Sequence, residues 1–181
     1  MGLYGVVLTA LWAMLPAYVP NNAAVLVGGG RPIDGGWTVG GRRALGDGKT
    51  WRGTLGGWAA GAAVAFALRE LRAPAGEALG VALPELPLAA ALAFPLGAVL
   101  GDVGASFLKR RTGRERGVPF PGVDQFDFVI GAFLLGGLVA PAWMVETFTL
   151  PVVLMVTVAT PLLHVSTNVF AYWLGLKGEP Y

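Results

Sequence analysis

LAAALAFPLGAVLGDVGASF, residues 88–107, runs for 20 residues with a single ionisable side chain, Asp102, and after Leu108 it is closed by Lys109-Arg110-Arg111. A helix of about 20 apolar residues spans the roughly 30 Å hydrocarbon core of a bilayer. Four more runs of this kind occupy residues 3–27, 53–68, 126–145 and 150–174. Composition agrees: 55% of the 181 residues are hydrophobic and 13% charged, whereas soluble domains carry about 25% charged residues. The expected fold is all-α, a polytopic transmembrane helix bundle of five spans forming one membrane domain over residues 1–181. Met1-Gly2-Leu3-Tyr4 brings no basic side chain ahead of the first run, so that run reads as a retained span rather than a cleaved signal.

The spans alternate between two kinds of connection. Residues 28–52, 108–125 and 175–181 hold Arg31, Arg42, Arg43, Lys49, Arg52, Lys109, Arg110, Arg111, Arg114, Arg116 and Lys177, while residues 69–87 hold only Arg69 and Arg72. Lysine and arginine accumulate on the cytoplasmic side, which predicts an N-terminus outside, a C-terminus inside, a multi-pass protein of the cell membrane, and any reaction on the cytoplasmic face. No internal repeat is evident, which argues against an inverted-repeat transporter. There is no cysteine, so any metal would be a hard ion held by oxygen.

An ionised carboxylate inside a span costs several kcal/mol unless it meets a cation or a polar cavity, and such residues are functional by default. Asp102 is one. Ser106 follows at i+4 and Lys109 at i+7, on the same helix face, and Gly97, Gly101 and Gly104 allow a backbone or ligand to come close. The loop then reads Val118-Pro119-Phe120-Pro121-Gly122-Val123-Asp124-Gln125-Phe126-Asp127. Its prolines and glycines deliver Asp124 and Asp127, spaced i and i+3, to one face at the start of the fourth span. Three carboxylates at the inner ends of two spans, beside five cations, suit phosphoryl chemistry. Carboxylates hold Mg²⁺ with phosphate and water, and cations neutralise developing phosphate charge.

The first loop contains Gly46-Asp47-Gly48-Lys49-Thr50-Trp51-Arg52-Gly53. It is no P-loop, because Arg43 stands where the pattern needs glycine. Its glycine-rich backbone, with Lys49 and Arg52, remains suited to cradling phosphate; the alternative is a flexible loop with anchoring charges. Asn21 and Asn22 follow Pro16 and Pro20, where a proline break would open the helix and present amides to a base or ribose. His164, beside Ser166, Thr167 and Asn168, reads as a helix-to-helix hydrogen bond rather than a catalytic group.

The run Gly101-Asp102, Ser106, Lys109-Arg110-Arg111, Pro119, Pro121-Gly122 and Asp124-Gln125-x-Asp127 resembles the signature of membrane CTP:phosphatidate cytidylyltransferases. The chain departs from it at Gln125, where bacterial members carry Arg, in lacking a His-Gly-Gly element, and in having fewer spans. Those departures, with Pro20-Asn21-Asn22 and residues 45–53, make the whole chain similar to the archaeal branch, the CDP-archaeol synthases. The resemblance implies that CTP reacts with 2,3-bis-O-geranylgeranylglycerol 1-phosphate to give the CDP-linked lipid and pyrophosphate, with Mg²⁺ required.

On that reading Asp102, Asp124 and Asp127 hold the metal, directly or through water. Lys109, Arg110 and Arg111 hold phosphates, helped by Lys49 and Arg52. Ser106 bonds a phosphate, Asn21 or Asn22 reads the nucleotide, and the isoprenoid chains enter sideways from the inner leaflet. The expected partners are CTP, the lipid phosphate and the bilayer; nothing in the sequence points to nucleic acid or a protein partner. The nearest alternative is a CTP-dependent polyprenol kinase, which transfers the γ-phosphate; a membrane transporter is the alternative of a different class.

Overall fold

The structure, a computed structural model, describes residues 1–114, 118, 120–173 and 175. Arg116, Pro119 and Lys177, named above, lie outside the described residues. Helix α1 is Leu3–Val27, α2 is Trp51–Leu79, α3 is Leu88–Arg111, α4 is Val123–Val139, α5 is Pro141–Thr147 and α6 is Leu150–Trp173. Between α1 and α2 stands an antiparallel pair, β1 (Thr38–Val39) and β2 (Arg42–Arg43), so the chain is mostly rather than wholly helical. Gly40 and Gly41 make the turn with φ of 57° and 75°. Both are left-handed, as a two-residue hairpin turn of this hand requires.

Leu3–Val27, Leu88–Arg111 and residues 150–170 are long and apolar enough to cross a membrane. The second and fourth apolar stretches fold differently from the sequence expectation. α2 continues through Arg69, Glu70 and Arg72 to Leu79, with Pro74 inside it, so most of the expected linker is helix. α4 stops at Val139 because Pro141, whose ring cannot continue the helix, starts a new one, α5, after Ala140. Helix α1 also departs from expectation: Pro16 and Pro20 sit inside a continuous helix and do not open it.

Small residues set the packing. Pro20 has no N–H to bond the carbonyl of Pro16, and α2 approaches there: a Cβ added to Gly61 would lie 2.6 Å from Pro16 O, and one on Gly57 2.6 Å from Pro20 O. Helices α3 and α4 meet in the same way. A Cβ on Gly97 would lie 2.5 Å from Gly131 O, and one on Gly101 would overlap the carbonyl of Asp127. Away from this polar crossing, Phe94 is fully buried among Phe133, Trp143 and Phe148, with ring centroids 6.0, 5.2 and 5.5 Å away. Leu150, Leu154, Val158 and Leu162 are exposed at one-turn spacing along α6, the kind of continuous apolar stripe that faces lipid rather than water.

Candidate active site

The crossing at Gly101 and Gly131 fixes the site, because it places Asp102 on α3 beside Asp127 on α4. Asp127 is partly buried and feels the charges of Asp102, Lys49 and Asp124; its Oδ1 accepts the N–H of Phe128 at 2.6 Å. Asp124 enters at the first turn of α4, where Oδ2 accepts the Phe120 N–H at 2.9 Å. Pro121 and Gly122 lie within the turn that this loop-to-helix bond closes. Gln125 also works locally, its Oε1 accepting the Gly122 N–H at 2.5 Å.

Two lysines neutralise two of these acids. Lys49 Nζ lies 2.5 Å from Asp102 Oδ2, and Lys109 Nζ lies 2.5 Å from Asp124 Oδ1. The second contact is an ion pair without the alignment of a hydrogen bond, and Oδ1 of Asp124 is otherwise buried without a partner among the described residues. All four side chains are between one-fifth and about one-quarter exposed, so solvent reaches them.

The first loop carries Lys49 to this place. Ile33 and Trp51 donate their N–H groups to Lys49 O and Arg31 O at 2.8 and 3.2 Å. Thr50 caps α2, its Oγ1 accepting the Gly53 N–H at 3.1 Å. Asp34, with a side chain 1% exposed, accepts Arg43 Nη2 at 2.6 Å and the N–H groups of Leu45 and Gly46 at 3.0 Å each. The Arg43 guanidinium holds the Asp34 carboxyl well below the usual carboxylate range, against the upward push of burial, and the backbone donors add to the lowering. Arg43 is in turn pushed up by Asp34 and then by Asp47.

Asn21, Asn22, Lys49, Asp102, Lys109, Asp124 and Asp127 all line one cavity of about 1180 Å³. Gly48, Thr50 and Gly53, from the turn into α2, stand with them. The wall then turns apolar along α1 through Val19, Leu15, Leu11 and Leu8. These share one helix face, and the 14 residue-to-residue steps from Asn22 to Leu8 cover about 21 Å at the helical rise.

Four candidates are placed elsewhere. Arg52 is exposed, and neither it nor Ser106, Arg110 or Arg111 lines the cavity. Arg111 grips the hairpin, donating to the carbonyls of Val39, Arg42 and Arg43, the last two at 3.2 and 2.9 Å. Gly104 faces open space, with nothing within 4 Å of where a Cβ would stand. Asn22 donates to Tyr18 O at 3.3 Å. Among the described residues, no three His, Cys, Asp or Glu side chains converge to hold a metal by themselves. The acids therefore share a cavity without forming a ready-made cage, which is the physical consequence of pairing: a lysine already stabilises each of two carboxylates.

The CarS-like CDP-archaeol synthase family matches residues 3–181. The chain belongs to this family. It is 62% identical over 181 residues to the CDP-archaeol synthase of Halobacterium salinarum, covering 100% of both chains. It is 66% identical over 175 residues to that of Haloarcula marismortui, covering 97% of each. Against that of Methanococcoides burtonii identity is 45%, with 93% of this chain and all of the relative covered. A solved structure described as an intramembrane enzyme for archaeal membrane lipids biosynthesis superposes with a TM-score of 0.70 at 37% identity, covering 88% of this chain and 92% of that one. A CDP-archaeol synthase is an enzyme, and the kinase and transporter readings fall away.

For this member of the family, the sequence by itself did not single out Asp34, Tyr18 or Thr160. The last two join by their hydroxyls at 2.9 Å on the cavity wall. Asp34-Gly35-Gly36 does carry a turn signal, but no local pattern announces that its carboxylate organises the loop bearing Lys49.

Proposed function

We propose that the chain transfers the cytidylyl group of CTP to the phosphate of an isoprenoid ether glycerol lipid, releasing pyrophosphate, at a site near the cytoplasmic headgroups of a five-span membrane domain. One observation carries the reading: the cavity that holds four carboxylates, Asp47 among them, and two lysines at its polar end continues into an apolar face of α1. A nucleotide triphosphate suits the first part and a lipid tail the second.

Family membership supplies the two substrates, and the residues suit the reaction between them. An anionic lipid phosphate oxygen attacks the α-phosphorus of CTP, forming the new P–O bond while the α–β bridge breaks and pyrophosphate leaves with the electron pair. The nucleophile is already ionised, so positioning and charge neutralisation dominate over general-base catalysis. Lys49 and Lys109 meet phosphate oxygens, and the glycine-rich turn with the N-terminus of α2 adds positive backbone potential. Asn21 and Asn22 read the nucleotide. Tyr18, Thr160 and the α1 face lie toward the lipid.

The residues also fit Mg²⁺. The ion uses one or two carboxylates and takes its other ligands from phosphate and water, so three acids sharing a cavity without forming a cage match its habit. Asp102, Asp124 and Asp127 would hold it, and it would supply charge stabilisation on the triphosphate.

The reaction is tested with labelled CTP and the purified enzyme in lipid. Label at the α-phosphate is expected in the lipid product and label at the γ-phosphate in pyrophosphate; γ-label in lipid overturns the reading. The chain has no cysteine, so single cysteines placed at Arg31 and Glu77 report sidedness. Labelling of the first from the cytoplasm and the second from outside is expected; the reverse overturns the topology.

A further inference from the structure

The loop between α1 and α2 is tied internally around a group the reaction does not touch. Asp34 Oδ1 accepts Arg43 Nη2 at 2.6 Å and the Gly36 N–H at 3.2 Å. Its Oδ2 accepts Arg43 Nε at 3.3 Å and the N–H groups of Leu45 and Gly46 at 3.0 Å each. The other arm of Arg43 reaches Asp47 Oδ1 at 2.7 Å, and Asp47 lines the cavity while Asp34 does not. Beyond Gly46 the chain returns through the Lys49 N–H, which donates to Gly46 O at 3.3 Å, and then through the Ile33 N–H, which donates to Lys49 O. Arg111 fastens the hairpin edge of the same loop to the end of α3. The backbone that presents Lys49 is thus fixed at one end by Asp34 and at the other by the cap of α2.

We infer that Asp34 is a positioning residue for cytidylyl transfer, holding residues 45–49 through Arg43 and two backbone amides so that Lys49 is presented to the triphosphate. The inference rests on the proposed role of Lys49 at phosphate. A buried carboxylate with five donors is costly to disturb, because each donor left unpaired loses its partner away from water. Its loss frees the turn at Leu45-Gly46, and Lys49 loses register with Asp102 and with the nucleotide. A misplacement of about 1 Å by a distant change is enough for roughly a hundredfold loss of rate.

A double-mutant cycle on the full-length enzyme in lipid separates this role from general stabilisation. Asp34→Asn keeps the shape and removes the charge; it is expected to lower kcat/KM for CTP by about 10- to 100-fold and to leave KM for the lipid phosphate unchanged. In a Lys49→Met background the same change should lower kcat/KM by less than about threefold, since the group it positions is gone. Arg43→Lys, which keeps the charge but lacks the fork, should reproduce this pattern and decides the matter if Asp34→Asn does not fold. Equal losses in both backgrounds, or unchanged CTP kinetics in folded Asp34→Asn, overturn the inference alone. Full activity in Lys49→Met overturns the phosphate role of Lys49, and the positioning route with it.

Discussion

Lys49 Nζ stands 2.5 Å from Asp102 Oδ2, uniting side chains 53 residues apart. The ammonium occupies a place where a metal ion and a phosphate would both compete, one for the acid and the other for the base. Lys49→Met is expected to lower kcat/KM for CTP by about a hundredfold, the scale of losing one preorganised charge donor. It is also expected to tighten Mn²⁺ binding measured without nucleotide, because Asp102 loses its counter-charge. Unchanged or weaker Mn²⁺ binding argues that Asp102 is not a metal ligand.

Asp124 presents a parallel case, with Lys109 as its partner. Asp102→Asn and Asp124→Asn should each reduce turnover by more than about a hundredfold, as expected for ligands that carry several kcal/mol of transition-state stabilisation. The measurement is CTP-dependent product formation by purified protein. Full activity in either variant removes that residue from the metal assignment.

The glycine crossing makes a prediction about stability and activity together. A Cβ at Gly101 would run into the carbonyl of Asp127, whereas one at Gly104 meets nothing within 4 Å. Gly101→Ala should therefore push α3 from α4 and cost at least about 1–3 kcal/mol, the usual scale of overpacking, with loss of turnover as Asp102 and Asp127 separate. Gly104→Ala should leave both thermal stability and turnover near wild type. Similar behaviour of the two variants would show that the crossing is not what aligns the acids.

The pH dependence of the first loop follows from Asp34. Its native carboxyl is held below its unfolded value by Arg43, so its stabilisation is fully present above the unfolded pKa of about 4. That stabilisation is lost progressively as pH falls from there through the lower native value. Hydrogen-exchange protection of the Leu45 and Gly46 amides, corrected for intrinsic rate, is accordingly expected to be equal at pH 5 and pH 8. Asp34→Asn should abolish that protection at both. Loss of protection in the wild type between pH 8 and pH 5 would contradict the assigned pairing.

Membrane character was legible in the sequence because the bilayer imposes a length and an apolarity that no packing partner can alter. A lone Asp102 among apolar residues and the Asp124, Asp127 spacing were legible for a related reason: charge in a span needs compensation, whatever the fold. Local rules went less far with Ser106 and Arg111. Both follow Asp102 on α3, yet neither lines the cavity, and Arg111 spends its guanidinium on hairpin carbonyls. Helical spacing gives a face but not what that face meets.

The sequence by itself determined that this is a helical membrane enzyme with its acids and bases at one end, since composition, charge bias and motif spacing act over a few residues. Tertiary structure alone decided which base meets which acid. The pairings of Lys49 with Asp102 and of Asp34 with Arg43 depend on a hairpin gripped by Arg111 and on a crossing that only glycine permits. Contacts of that kind join distant segments, and their energy appears only once both backbones are in place.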